Sequence, residues 1–166
     1  TTIYNKIIYE NNIPILAYHD VVEDAKADTD SDVKEFDKQK TKVFKYITYK
    51  KRTEQEVRKK FKGQIEDEML EEIIEYLKEA KYLDDYDFIE RQVREYMNLK
   101  TLSIKEIKYK LMTKGLDRKL IEQYIEKNYE ELNEYEERCI ERIKKKKSDS
   151  SEEEIRQYLY RKGYKI

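Results

Sequence analysis

One phrase occurs three times in this 166-residue chain: Thr53-Glu54-Gln55-Glu56-Val57-Arg58, Ser103-Ile104-Lys105-Glu106-Ile107-Lys108 and Ser151-Glu152-Glu153-Glu154-Ile155-Arg156. The copies lie 50 and 48 residues apart, and the apolar position four beyond Val57, Ile107 and Ile155 is filled by Phe61, Leu111 and Leu159. Repeats at such a period mark stacked supersecondary units. The phrase is also a helix start. A hydroxyl at the cap accepts from the third helical N–H, and the glutamate three residues on reaches back to the cap's own N–H. Loss of such a cap costs about 1 kcal/mol, which accounts for the Ser/Thr and the Glu. It does not account for the basic residue two after each Glu.

Apolar periodicity extends each copy into a unit of helices. Phe36, Val43, Phe44 and Ile47 share one helical face, as do Val57 with Phe61, and Leu70, Ile73, Ile74 and Leu77. The scheme returns with Phe88, Val93, Tyr96 and Met97, then Ile107 and Leu111, then Leu116, Leu120, Ile121 and Ile125. A third unit starts near Asn133 as its cap, continues through Cys139, Ile140 and Ile143, and has a second helix but no third. Gly115 and Gly163 stand where the later two middle helices stop, a place for the left-handed conformation that glycine adopts at low cost. The expected fold is all-α: elongated tandem three-helix repeats with the last one incomplete. Its divisions are an extension over 1–35, repeats over 36–84 and 85–131, and a partial repeat over 132–166. Within the extension, two β-prone runs around Asn11-Asn12 read as a small hairpin, and the acidic residues 24–35 as a loop.

Composition narrows the function classes. The 38% apolar content includes 16 tyrosines and 44% of residues are charged, so the interior is thin for the length. A lone cysteine, Cys139, excludes an internal disulfide and reads as a small core residue. No signal pattern opens the chain, and no apolar run approaches the ~20 residues needed to cross a bilayer. The default compartment is the cytoplasm, without a membrane partner. The missing initial Met and the abrupt stop at Ile166 suggest a fragment or a processed chain.

The net charge of −1 hides alternating blocks: −3 over 1–43, +6 over 44–62, −9 over 63–90, +6 over 91–119, −5 over 120–143 and +4 over 144–166. Each positive block covers a capped middle helix, so stacked units would align a basic stripe. Its candidate members are Lys50, Lys51, Arg52, Arg58, Lys59 and Lys60, then Lys105, Lys108 and Lys110, then Arg156, Arg161 and Lys162. Tyr49, Tyr109 and Tyr160 are interleaved with them. Cations neutralise phosphates and tyrosines stack on exposed bases, a sequence-tolerant way to hold a single strand. A solvated face would explain any one such helix; recurrence at 58, 108 and 156 argues for binding.

Catalysis finds no constellation. His19 lacks a nucleophile context, and Asp84-Asp85 reads as a helix-start cap. Asp28, Asp30 and Asp32 lack the central glycine of a calcium loop, and three glycines form no phosphate cradle. The Lys144–Lys147 run with Ser148-Asp149-Ser150 reads as an exposed connection. No cofactor, metal or catalytic residue is expected.

Taken in order, Arg52-Thr53-x-x-Glu56-Val57, Tyr82-Leu83-Asp84-Asp85-x-x-Phe88, Ile107-x-x-x-Leu111-x-x-Lys114-Gly115-Leu116 and Leu159-x-x-Lys162-Gly163-Tyr164 resemble the RecX family of bacterial recombination regulators. The resemblance spans about 36–166, and Ala17 to Val22 looks like the helix-entry segment of the family's N-terminal part. It implies a non-enzymatic negative regulator, expected as a monomer. Such a regulator binds the RecA filament on single-stranded DNA and inhibits ATP hydrolysis and strand exchange. The alternative is a helical-repeat scaffold that binds an acidic protein or peptide without nucleic acid.

Overall fold

The computed structural model describes residues 5–10, 13–18, 28–99 and 101–166. Among them, eight helices carry the fold, and the chain divides into two compact units. The first comprises Thr1–Lys51 and Val57–Leu83, the second Arg52–Glu56 and Asp84–Ile166.

In the first unit, β1 (Asn5–Glu10) and β2 (Ile13–Tyr18) pair antiparallel, from Asn5 opposite Tyr18 to Glu10 opposite Ile13. The Asn11-Asn12 connection and His19 lie outside the described residues. Helix α1 (Asp28–Tyr49) starts eight residues before Phe36, so 28–35 is helix where the sequence suggested loop. Its first turns carry no apolar stripe. They carry an exposed ion pair instead, Lys34 reaching Asp30 one turn back at 2.7 Å.

Helix α2 (Glu54–Phe61) is short, and α3 (Asp67–Glu79) follows. Val43, Phe44, Ile47, Val57, Phe61, Leu70, Ile73, Ile74 and Leu77 close the core of this unit. Edge-to-face rings join its margins, Phe44 with Tyr82 at 4.8 Å and Tyr46 with Phe61 at 5.6 Å between centroids. Lys40 is buried among them, paired with Asp37 at 2.7 Å and with its ammonium 5.0 Å from the Tyr76 ring centre. The ion pair and the ring face replace the water it loses.

The second unit holds α4 (Asp85–Leu99), α5 (Ile104–Thr113), α6 (Arg118–Lys127), α7 (Tyr129–Lys146) and α8 (Glu152–Lys162). One core runs through all five helices, from Phe88 and Val93 through Ile107, Leu111 and Ile121 to Cys139 and Leu159. Asp84 caps α4 by accepting from the N–H groups of Tyr86 and Asp87, both at 3.0 Å. Helix α7 begins at Tyr129, directly after α6, rather than near Asn133. Leu132, Tyr135, Cys139 and Ile143 form its buried face, so its apolar period already runs before Asn133. Asn128 joins the two helices, its side-chain amide donating to the Tyr124 carbonyl at 2.8 Å.

Candidate partner-binding surface

The three repeated phrases all form reciprocal caps. Glu56, Glu106 and Glu154 N–H groups donate to Thr53, Ser103 and Ser151 hydroxyls at 3.1, 3.1 and 3.3 Å. The glutamate carboxylates accept from the cap N–H groups at 3.0, 3.0 and 2.9 Å. Two of the hydroxyls do more. Thr53 donates to the Lys114 carbonyl at 3.2 Å, and Ser103 to the Lys162 carbonyl at 2.6 Å. Each hydroxyl thus closes the start of one middle helix and satisfies a free carbonyl at the end of the next.

Carboxylates from the following repeat join the same junctions. Asp85 accepts from the Glu54 N–H at 3.1 Å, and buried Glu136 from the Ile104 N–H at 3.0 Å. Tyr135 both accepts from the Leu102 N–H and donates to its carbonyl, and Tyr164 donates to the Thr101 carbonyl. Burial pushes both phenols well above the usual tyrosine range. Glycine is obligatory where these ends meet. Gly115 and Gly163 have φ of +79° and +81°, and a Cβ on them would lie 2.5 Å from Gln55 Cγ and 2.8 Å from Lys105 Cδ.

The recurring basic residue takes an internal role in the two complete repeats. Arg58 grips Glu71 of α3 with Nε at 2.7 Å and a terminal nitrogen at 3.1 Å, and Lys108 meets Glu122 of α6 at 2.7 Å. Hydrogen bonds from Arg58 hold the Glu71 carboxyl below the ordinary range, and Lys108 followed by Arg118 does the same for Glu122. Middle and third helices are thereby clamped together. The signal was present in the sequence as an acid 13 or 14 residues after each base, the difference matching the shorter turn after Phe61. Arg156 is exposed and makes no ion pair among the described residues.

The remaining candidates divide by exposure. Lys50, Lys51, Lys59, Lys60, Lys105, Arg161 and Lys162 are exposed, whereas Arg52 and Lys110 are half-buried. Lys162 approaches Glu106 at 3.5 Å, and Lys60 lies 5.9 Å from the Tyr46 ring centre. Tyr49, Tyr109 and Tyr160 are 89%, 66% and 76% exposed, unusual for so large a ring. Each sits between two cations in one pattern that sequence reading passed over: base, three residues, Tyr, base. The triplets are Lys45/Tyr49/Lys50, Lys105/Tyr109/Lys110 and Arg156/Tyr160/Arg161. Four residues apart on a helix, the first cation and the ring share a face. Such a surface can stack on flat rings and neutralise phosphates.

Cys139 is buried in the core of the second unit. Among the described residues, no group of three or more His, Cys, Asp or Glu side chains could hold a metal ion, and no helix is long and apolar enough to cross a membrane.

Fold and surface together define a tandem helical-repeat protein with basic, tyrosine-bearing faces. The chain belongs to the RecX family of regulatory proteins. It is 32% identical over 130 residues to regulatory protein RecX of Oceanobacillus iheyensis, covering 75% of this chain and 48% of that one. Against regulatory protein RecX of Caldanaerobacter subterraneus subsp. tengcongensis it is 29% identical over 130 residues, covering 76% and 64%. With the Finegoldia magna protein of that name, identity is 34% over 82 residues, covering 49% and 40%. The chain thus spans about half the length of the curated relatives it matches. A crystal structure of RecX from Lactobacillus salivarius aligns with a TM-score of 0.68 and 26% identity, over 80% of this chain and 90% of that one. A second RecX crystal structure shares the fold at a TM-score of 0.64 and 20% identity, over 96% and 89%. No family model matches the chain.

Proposed function

We propose that this chain is a non-enzymatic negative regulator of homologous recombination. It binds the RecA filament formed on single-stranded DNA and inhibits ATP hydrolysis and strand exchange. Family membership supplies the partner class. The observation that carries the reading to particular residues is the set of exposed tyrosines flanked by cations at 49, 109 and 160. The contact residues are Tyr49, Lys50, Lys51 and Lys59 in the first unit and Tyr109, Tyr160, Lys105, Lys110, Arg156, Arg161 and Lys162 in the second. Arg58 and Lys108 hold the third helices through their ion pairs, and half-buried Arg52 completes the basic set.

A pull-down with RecA–DNA filament, free RecA and single-stranded DNA tests this assignment. Capture by the filament in preference to either component is the expected result. Where DNA phosphates contribute, the logarithm of affinity falls with the logarithm of salt at about −0.7 per phosphate neutralised. Equal capture by free RecA, with affinity flat in salt, would instead favour a protein-binding scaffold.

A further inference from the structure

A buried acid in the second unit is only half used by its structural role. Glu136 of α7 is 3% exposed, and one of its oxygens accepts from the Ile104 N–H at 3.0 Å. The other oxygen has no hydrogen-bond or ion-pair partner among the described residues. A carboxylate accepts only, and keeping one oxygen away from water without a donor is costly. Glu136 lines a cavity of about 390 Å³, within the size range of small-ligand sites.

The walls depart from the repeat at two positions. Ile104 stands where the other two copies of the phrase carry Glu54 and Glu152, and Ile125 is half-buried where its counterpart Ile74 is 1% exposed. Both isoleucines turn apolar surface to the cavity. A bare cation gains little there, because Glu122, Glu126 and Glu136 are matched by Lys105, Lys108 and Lys165. Lys108 is already taken by Glu122, whereas Lys165 is exposed, its ammonium 5.2 Å from the Tyr129 ring centre. The elements around the cavity are tied together by the bonds from Ser103 to Lys162, Glu136 to Ile104 and Tyr164 to Thr101.

We propose that this cavity binds a guanine base with its phosphate, the adjacent N–H donors of the base on Glu136, its ring against Ile104 and Ile125, and the phosphate on Lys165. An acceptor without a donor, apolar walls and a free cation fit a flat ring with N–H groups on one edge and an anionic tail. Guanine is the base that presents two neighbouring donors on its pairing edge, the edge by which unstacked bases are read. Ile104, Ile125, Glu136 and Lys165 all lie outside the proposed filament contact, so either assignment can fail without the other.

Calorimetric titration of the whole chain with GMP, IMP and AMP tests it, alongside thymine strands carrying one guanine or one adenine. Saturable binding of guanine is expected, about tenfold tighter than of adenine or of IMP, which lacks the 2-amino donor. Binding of GMP assigns the site to a free nucleotide, and a guanine preference confined to the strand assigns it to a base of single-stranded DNA. Glu136→Gln keeps an acceptor for the Ile104 N–H but turns N–H toward the base, so the preference for guanine over adenine disappears in protein shown by its melting curve to be folded. Lys165→Glu, an exposed substitution, weakens the phosphate-bearing ligand about tenfold and leaves guanosine unaffected. No saturable binding of guanine in either form, equal affinity for guanine and adenine, or a guanine preference retained in folded E136Q would overturn the proposal. Undiminished affinity of K165E for the phosphate-bearing ligand would overturn it too.

Discussion

Ser103 shows how much one hydroxyl does in this molecule. Its oxygen accepts from Glu106, its proton goes to the Lys162 carbonyl, and the side chain is fully buried at the junction. Aspartate, an equally good cap, accepts only and would set a carboxylate against a carbonyl. The cap itself is worth about 1 kcal/mol, and the additional hydrogen bond about another. Ser103→Ala therefore lowers unfolding free energy by roughly 2 kcal/mol, against roughly 1 for Ser151→Ala, and Ser103→Asp costs more than Ser151→Asp. Urea melts of the four variants check this ordering. Equal losses at 103 and 151 would mean that the bond to Lys162 contributes nothing. The cap was legible in the sequence because its partners lie within four residues. The second role was not, because Lys162 lies 59 residues away and only the stacking of repeats brings it near.

Helix ends show the same division between local and distant information. At α8, the Gly163 N–H bonds to the Tyr160 carbonyl at 2.9 Å and the Tyr164 N–H to the Leu159 carbonyl at 3.1 Å, with Gly163 left-handed between them. At α3, the same pair of bonds runs from Lys81 to Lys78 and from Tyr82 to Leu77, but the left-handed residue is Lys81 at φ +62°. A side chain there costs about 1 kcal/mol that glycine avoids. Lys81→Gly is expected to raise the melting temperature by a few degrees, a gain partly offset by the greater freedom of glycine in the unfolded chain. Calorimetry that found a lower value would show that the lysine side chain supplies a compensating contact. The stops at Gly115 and Gly163 were readable from residue type alone, whereas Lys81 gives no such sign. Helix starts misled where apolar period and charge disagreed. Residues 28–35 carry one exposed ion pair, Lys34 with Asp30, and no buried stripe, and α7 begins with exposed Tyr129, before its first buried residue.

For the whole molecule, the repeat carries both the architecture and the surface. Period, caps and apolar faces pointed to an all-α array of three-helix units because each is set within a few turns of chain. The basic positions were also visible, but not their division of labour. Arg58 and Lys108 spend their charge on the third helices, whereas Lys59, Lys105, Arg156, Arg161 and the three tyrosines are exposed. Charge counting cannot separate these groups, because pairing depends on which helices meet.

The most direct test of this account is inhibition of RecA ATP hydrolysis on single-stranded DNA, measured against concentration of the chain and of the Tyr109→Ala/Tyr160→Ala variant. Both tyrosines are exposed, so the variant keeps its fold, and loss of stacking worth about 1–3 kcal/mol per base raises the half-inhibitory concentration about tenfold or more. Hydrolysis unaffected by the chain, or inhibited equally by the folded variant, would contradict the account.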